Sequence, residues 1–353
     1  MADAYGMDKI ETVDQISAPE LNYLPPVPKA YRPQIGLIGC GGISAYHLEA
    51  YKTLGFDVVA FCDRNEERAI AHRDTYNPDG VVYTDYRDLL KNDNIEVVDV
   101  ATHPHGRNAI LAATIETGKH ILSQKPFVED LDEGYRICDA ADAKNVKLAV
   151  NQNGRWAPHF AWINAAIRSG QVGEVSSIDY TMQWDHTWTA GTPFEEVYHL
   201  ILYDFGVHWF DITNAFLDGK EPDAIHAAVT RTKFQKMKPP FLAQVMMEFE
   251  NVQVRMSFNA HVIHGQEDRT IVCGEHGTLR AWGPELNNQQ VGLWTAEGFA
   301  QPVLEGCWFD SGFQGTMGEL LCAIEENREP QNNARNNLKS LDMCFRALDC
   351  VGK

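Results

Sequence analysis

From Gln34 onward the chain alternates short apolar tracts with longer mixed ones. QIGLIG, FDVVAFCD, EVVDVAT, HILSQ and KLAVNQ are brief apolar runs bounded by polar residues or glycine, the pattern of buried strands. SAYHLEAYKTLG, NEERAIAHRDTY, GRNAILAATIETG and DEGYRICDAADAKN lie between them with helical spacing. Asn65 is placed to cap the second of these helices and Gly118 to end the third. Strands alternating with helices of about a dozen residues predict βαβ units around a parallel sheet.

Past Asn151 the texture changes. RWAPHFAWINAAIRSGQVG reads as one helix ending at Gly170 or Gly173. SSIDYTMQW, DAIHAAVTRTKF, FLAQVMMEFE, VQVRMSFNAH and DRTIVCGEHGTLRAW follow as strands, interrupted only by a helical segment over 204–216. Strands in succession without covering helices predict an antiparallel or mixed sheet, open on one face. GELLCAIEENREP and NNLKSLDMCFRALDCVG have the spacing of two amphipathic helices. Residues 1–31 are polar, acidic and then Pro-rich, with PPVP favouring an extended segment. They read either as a loose tail or as an arm laid on a neighbouring subunit.

Composition narrows the class. Of 353 residues, 44% are hydrophobic and 22% charged, ordinary for a globular protein. The formal net charge of -19 argues against nucleic acid and anionic membranes as partners. Eight cysteines are scattered without a C-x-x-C pair, which argues against a disulfide framework. The N-terminus has no apolar signal core, and no apolar run approaches the roughly 18 residues of a membrane span. A cytoplasmic protein is expected.

IGLIGCGGIS places Gly39, Gly41 and Gly42 between a strand and a helix. Gly39 permits the tight turn, Gly41 lets backbone approach a pyrophosphate, and the helix N-terminus beyond stabilises negative charge. Ser44 is small enough for close helix–strand packing. Asp63 ends the next strand about twenty residues on, where an acid accepts hydrogen bonds from an adenosine ribose. It would repel a 2′-phosphate, so NAD is expected over NADP, although the neighbouring Arg64 and Arg68 can receive such a phosphate. A Rossmann domain over 32–152 is therefore predicted, followed by an α+β domain over 153–353 with a large, mostly antiparallel open sheet.

In DFGVHWFDITNAF, helical spacing would put Asp204, His208 and Asp211 on one face. The spacing alone describes a polar seam between helices as well as a catalytic pair. A metal site drawing on His186, His199, Asp204 and His208 lacks the tight spacing of known ligand sets, so no metal is expected. Lys125, in HILSQKPF, follows a later parallel strand at the edge where ligands bind in such sheets.

In combination, GLIGCGGIS, GKHILSQKPF, GRWAPHF with SGQVGEV, and DFGVHWFDITNAFLDG resemble the Gfo/Idh/MocA oxidoreductases, in the family's order and over most of 33–219. The resemblance implies that Lys125 matches the lysine of the family's Glu-Lys-Pro motif, which contacts substrate and cofactor. Asp204 and His208 match its Asp-x-x-x-His pair, with the histidine as proton acceptor. Gln124 stands where many members carry glutamate, and Asn108 where a histidine is common. The expected cofactor set is Gly39, Gly41, Gly42, Ile43, Asp63, Arg64, Thr102, Gln124 and Lys125. The expected substrate set is Lys125, Arg155, Trp184, Asp204 and His208; Trp184 and Trp188 could place indole faces against a sugar ring. The implied activity is oxidation of a secondary hydroxyl of a sugar, sugar derivative or cyclitol by an NAD(P)-dependent homodimer or homotetramer. A redox-neutral enzyme that retains its NAD and cleaves a glycosidic or related bond is the alternative. A nicotinamide-sensing binding protein is a further one.

Overall fold

The computed structural model describes residues 13–352. Its first sheet has six parallel strands in the order β3-β2-β1-β4-β5-β6. They are β1 (Gln34–Ile38), β2 (Asp57–Cys62), β3 (Val81–Tyr83), β4 (Ile95–Val100), β5 (His120–Gln124) and β6 (Leu148–Asn151). Helices α1 (Gly42–Leu54), α2 (Glu66–Tyr76), α3 (Tyr86–Leu90), α4 (Arg107–Glu116) and α5 (Leu131–Ala143) connect them. This is the doubly wound dinucleotide-binding order, with its crossover between β1 and β4. The central strands are buried on both faces, which is why they read as unbroken apolar runs. Asn65 caps α2 as its sequence predicts, accepting from the Glu67 amide.

The second sheet has eight strands in the order β14-β13-β12-β11-β7-β10-β9-β8. They are β7 (Val175–Gln183), β8 (Ala224–Thr230), β9 (Leu242–Phe249), β10 (Val252–Asn259), β11 (Glu267–Gly274), β12 (Gly277–Glu285), β13 (Asn288–Thr295) and β14 (Gly298–Ala300). Only the β7–β10 pairing is parallel. DRTIVCGEHGTLRAW is thus a hairpin, β11 and β12 turning at Glu275-His276, and not the single strand its texture suggests. Pro158 likewise splits the helix expected from Arg155 into a 3-10 turn (Asn153–Trp156) and α6 (Pro158–Arg168), because its ring cannot continue the preceding turn.

The alternating residues of β9 and β10 settle which sheet face is apolar. Val245, Met247, Phe249, Val254, Met256 and Phe258 point inward and share one core with α6, α7 (Val207–Phe216) and α9 (Ala334–Val351). The outward row is Gln244, Met246, Glu248, Gln253, Arg255 and Ser257, largely polar. The apolar face of these strands is therefore the covered one, and the open face is largely polar.

The last two helices serve both sheets. Phe313, Met317, Leu320 and Leu321 of α8 (Trp308–Glu325) join Ile35, Leu37 and Tyr51 in one cluster, and Ala334, Leu338 and Leu341 of α9 join Ile121, Leu148 and Val150 in another. The stretch 153–353 thus returns to cover the first sheet, whose edge strand β6 needs helices on both sides.

Residues 13–31 run along their own chain; residues 1–12 of the expected arm fall outside the described residues. Gln15 pairs with Phe299 at the β14 edge, and the Glu325 carboxylate accepts the backbone amides of Lys29, Ala30 and Tyr31. A Cβ at Gly318 of α8 would stand 2.0 Å from the Pro26 carbonyl oxygen, so only glycine permits this approach.

Candidate active site

The glycine loop after β1 is shaped by close packing. Gly39 has φ +102, and a Cβ there would come within 2.9 Å of the Ala101 backbone. By contrast, nothing stands within 4 Å of a Cβ at Gly41 or Gly42, so this side of the loop is open to a ligand. Gly41 caps α1 without a side-chain hydrogen bond, which leaves the first amides of the helix for an anion. The buried Ser44 bonds the Gly41 carbonyl at 2.6 Å and packs as the small residue its position requires. Asp63 accepts from the Cys40 amide at 2.8 Å and the Asn65 amide at 2.8 Å, which aims its carboxylate at the loop. Ile43 and Arg64 are exposed beside it. An open loop, free helix amides and an acid at the end of β2 fit NAD.

Lys125 follows β5 at the carboxyl edge of the first sheet. Its Nζ donates to the Asp204 carbonyl oxygen at 2.7 Å and lies 3.4 Å from Oδ1 of the same residue. Asp204 occupies a π-helical turn, Ile201–Phe205, closed by Gly206 N donating to Ile201 O at 2.7 Å. The wide turn breaks the regular register before α7, and such turns recur at functional sites. Of the three polar residues in this segment, Asp211 turns to Arg155. Asp204 meets Lys125, and no hydrogen bond joins it to His208.

His208 is half-buried, with Nδ1 enclosed and without a hydrogen-bond partner among the described residues. Burial first, and the Lys125 ammonium second, hold its imidazole well below the ordinary histidine pKa. It is neutral at neutral pH, with a lone pair available to accept a proton. Trp308 stands edge-on to it at 5.7 Å, and Trp209 links Trp308, at 5.7 Å, to Trp184, at 5.0 Å. The enclosed indole nitrogens of Trp184 and Trp209 are likewise unpartnered. Trp188 is exposed, resting on Phe194 and Phe205. His199 is turned away, its Nε2 2.7 Å from the Gly352 carbonyl.

Two expected contacts are corrected, those of Arg155 and Gln124. Arg155 does not face a substrate pocket beside His208: its guanidinium pairs with Asp211 through Nε and Nη2, and bonds Gln331 O and Asn336 Oδ1, each at 2.8 Å. Asp211 is 1% exposed and also accepts from Asn337 and Ser340, so it ties α7 to α9 as a polar seam between helices. Gln124 is 6% exposed and spends both ends of its amide inside the protein, on His47 and on the Lys125 amide, so it has none to offer a cofactor directly.

One positioning residue escapes the sequence. The fully buried Arg107 guanidinium donates to the carbonyls of Thr102, Gln124 and Pro126, tying the loop after β4 to the turn that carries Lys125. Burial lowers its pKa to about 9. Thr102 keeps an enclosed, unpartnered hydroxyl oxygen. An arginine paired only with backbone carbonyls leaves no spacing signal. Among the described residues, no three His, Cys, Asp or Glu side chains gather as a metal site.

A glycine loop open to a dinucleotide at the carboxyl edge of a doubly wound sheet, with Lys125 after β5 meeting the segment that carries Asp204 and His208, points to the class: a nicotinamide-dependent oxidoreductase. The profile described as "Oxidoreductase family, NAD-binding Rossmann fold" matches residues 34–152, and the "GFO/IDH/MocA C-terminal domain" matches 160–280. The chain belongs to the Gfo/Idh/MocA family. It is similar to D-apiose dehydrogenase of Paraburkholderia graminis, with 26% identity covering 86% of this chain and 84% of that one. It is similar to inositol 2-dehydrogenase 1 of Saccharopolyspora erythraea, with 24% identity covering 76% and 78%. An Agrobacterium radiobacter oxidoreductase, solved with NAD+, L-tartaric acid and magnesium, shares the fold: TM-score 0.81 at 19% identity, over 91% of this chain and 96% of that one. No helix of the described residues is long and apolar enough to cross a membrane.

Proposed function

We propose that this chain oxidises a secondary hydroxyl of a sugar, sugar derivative or cyclitol, with Lys125, Asp204 and His208 as its catalytic residues. The observation that carries this reading is the 2.7 Å contact of Lys125 with Asp204 beside a neutral, half-buried histidine. NAD, held by Gly39, Gly41, Gly42 and Asp63, supplies the hydride acceptor when bound. The Lys125 ammonium donates a hydrogen bond to the alcohol oxygen and stabilises charge developing there. His208 takes the hydroxyl proton; Nδ1 is enclosed, which leaves Nε2 to face the substrate. Asp204 holds Lys125 in place. The tryptophans around His208 offer flat apolar faces to the C–H groups of a polyhydroxylated ring. The names of the apiose and inositol dehydrogenase relatives support the substrate class.

The outward face of the eight-stranded sheet, exposed at Met246 and Arg255, supports a second copy lying against it in a homodimer or homotetramer.

The test is a screen of aldoses, pyranosides and cyclitols with NAD and NADP, following absorbance of the reduced nicotinamide. Lys125→Met and His208→Asn are expected to lose roughly 100-fold or more in kcat with NAD binding retained. Wild-type turnover in the His208 variant would overturn its assignment.

A further inference from the structure

Beneath the Lys125 turn lies a buried polar chain that the chemistry above does not use. The Lys125 amide donates to Gln124 Oε1 at 2.6 Å. That bond fixes which end of the carboxamide is oxygen, so the NH2 end points into the sheet, 3.1 Å from His47 Nε2. A second amide, Asn151 Nδ2, lies 2.9 Å from the same ring nitrogen. Two N–H donors aimed at one nitrogen require a lone pair on it. The proton must then sit on Nδ1, which is 2.7 Å from Asp99 Oδ2. Tyr51 donates to that same carboxylate oxygen at 2.7 Å, and burial next to Asp99 keeps its hydroxyl protonated. His47 and Asp99 are 0% exposed.

We propose that Gln124 is a positioning residue: its amide, oriented by a neutral His47 that Asp99 holds as the Nδ1–H tautomer, fixes the backbone of Lys125. The inference rests on the catalytic role given to Lys125 above. Around His47, α1 contributes Tyr51, β4 Asp99, β5 Gln124, β6 Asn151, and α8 the Phe313 ring at 4.7 Å. Asp99 and Tyr51 are the titratable groups among them. A carboxamide at 124 satisfies this order of donors and acceptors; a carboxylate of the same shape would turn an oxygen toward the lone pair of His47. That contact could close only by taking up one proton, shared between the introduced carboxylate and the imidazole.

The experiment compares wild type, Gln124→Glu, Gln124→Met and Lys125→Met. The kcat of Gln124→Glu relative to wild type is expected to fall about tenfold or more as pH rises and the shared proton is lost. Gln124→Met, which cannot bond either neighbour, is expected to lower kcat by a pH-independent factor. NAD affinity should stay near wild type in both. Separately, long-range 1H–15N spectra of histidine-labelled protein, assigned with His47→Gln, should show the Nδ1–H tautomer in wild type and a second ring proton in Gln124→Glu at low pH. A flat pH ratio, wild-type kcat in Gln124→Met, or a proton on His47 Nε2 in the wild-type protein would each overturn the inference. Wild-type turnover in Lys125→Met would instead overturn the catalytic reading, which the tautomer spectrum does not depend on.

Discussion

Arg155→Met separates a structural arginine from a substrate contact. In the folded chain Asp211 is 1% exposed, and Arg155 is its only cationic partner among the described residues, with a side-chain exposure of 9%. Methionine keeps much of the aliphatic stem and removes the charge. Asp211 would retain Asn337 Nδ2 at 3.2 Å and Ser340 Oγ at 2.9 Å, but its buried charge would stand uncompensated. Breaking one side of such a buried pair costs about 3–5 kcal/mol. The loss of the Gln331 and Asn336 bonds acts in the same direction, because they fasten the 3-10 turn after β6 to the entrance of α9. At a few degrees per kcal/mol for large domains, the melting temperature should fall by roughly 10 °C. Urea unfolding measures the stability, and steady-state kinetics well below the melting temperature should give a KM near wild type. In Arg155→Met/Asp211→Leu both charges are gone, and much of the lost stability should return. A large rise in KM with unchanged unfolding would refute this reasoning and return Arg155 to the substrate pocket.

Asp63→Ser should raise kcat/KM for NADP relative to NAD by about tenfold or more, because it removes the charge that repels a 2′-phosphate; an unchanged ratio would leave Arg64 or Arg68 in control. His159 is buried and its pKa is lowered to about 3 by burial alone. The unfolded chain therefore takes up this proton first as pH falls below about 6.5, so the stability is present above that pH and about 2 kcal/mol of it is lost by pH 5. His159→Phe should reduce the slope of unfolding free energy against pH over that window, to which the buried His186 also contributes, and an unaltered slope would contradict it. Light scattering at micromolar concentration should report a multiple of the chain mass, and a monomer would count against face-to-face pairing.

What could be read in advance followed from how locally each feature is encoded. β1, β4 and β5 are buried on both sides, so composition alone marks them, and Asn65 needs only its own helix to act as a cap. The three-residue β3 and five-residue α3 are too short for a period to register. The β13–β14 hairpin hides in NQQVGLWTAEGFA, where glycines and glutamines mask the alternation. At the site, Lys125, Asp204 and His208 were legible as motif residues, but their partners were not. The spacing of Asp204 and His208 carries no sign of the π-helical turn at 201–205 or of the 3.4 Å approach of the carboxylate to Lys125. Arg155 and Asp211 are 56 residues apart in the chain, and their pairing depends on how the 3-10 turn after β6 meets α7.

The contact with Lys125 changes what Asp204 can do. An acid bonded to the imidazole would raise the basicity of His208, whereas burial and the Lys125 ammonium lower it here. With Asp204 on Lys125, the carboxylate instead fixes a cation carried by the first sheet to a turn carried by the second. The ammonium is held from its own side as well: Arg107 grips the carbonyls flanking Lys125, and Gln124 its amide. Helices α8 and α9 pack into the cores of both sheets, which limits relative movement of the two halves of the site. On the proposed reading of the site, a substrate hydroxyl entering between Lys125 and His208 meets a donor and an acceptor already fixed in opposite roles. The weak basicity of His208 suits this arrangement. It keeps the ring free of a proton until an alcohol, polarised by the ammonium, has one to give.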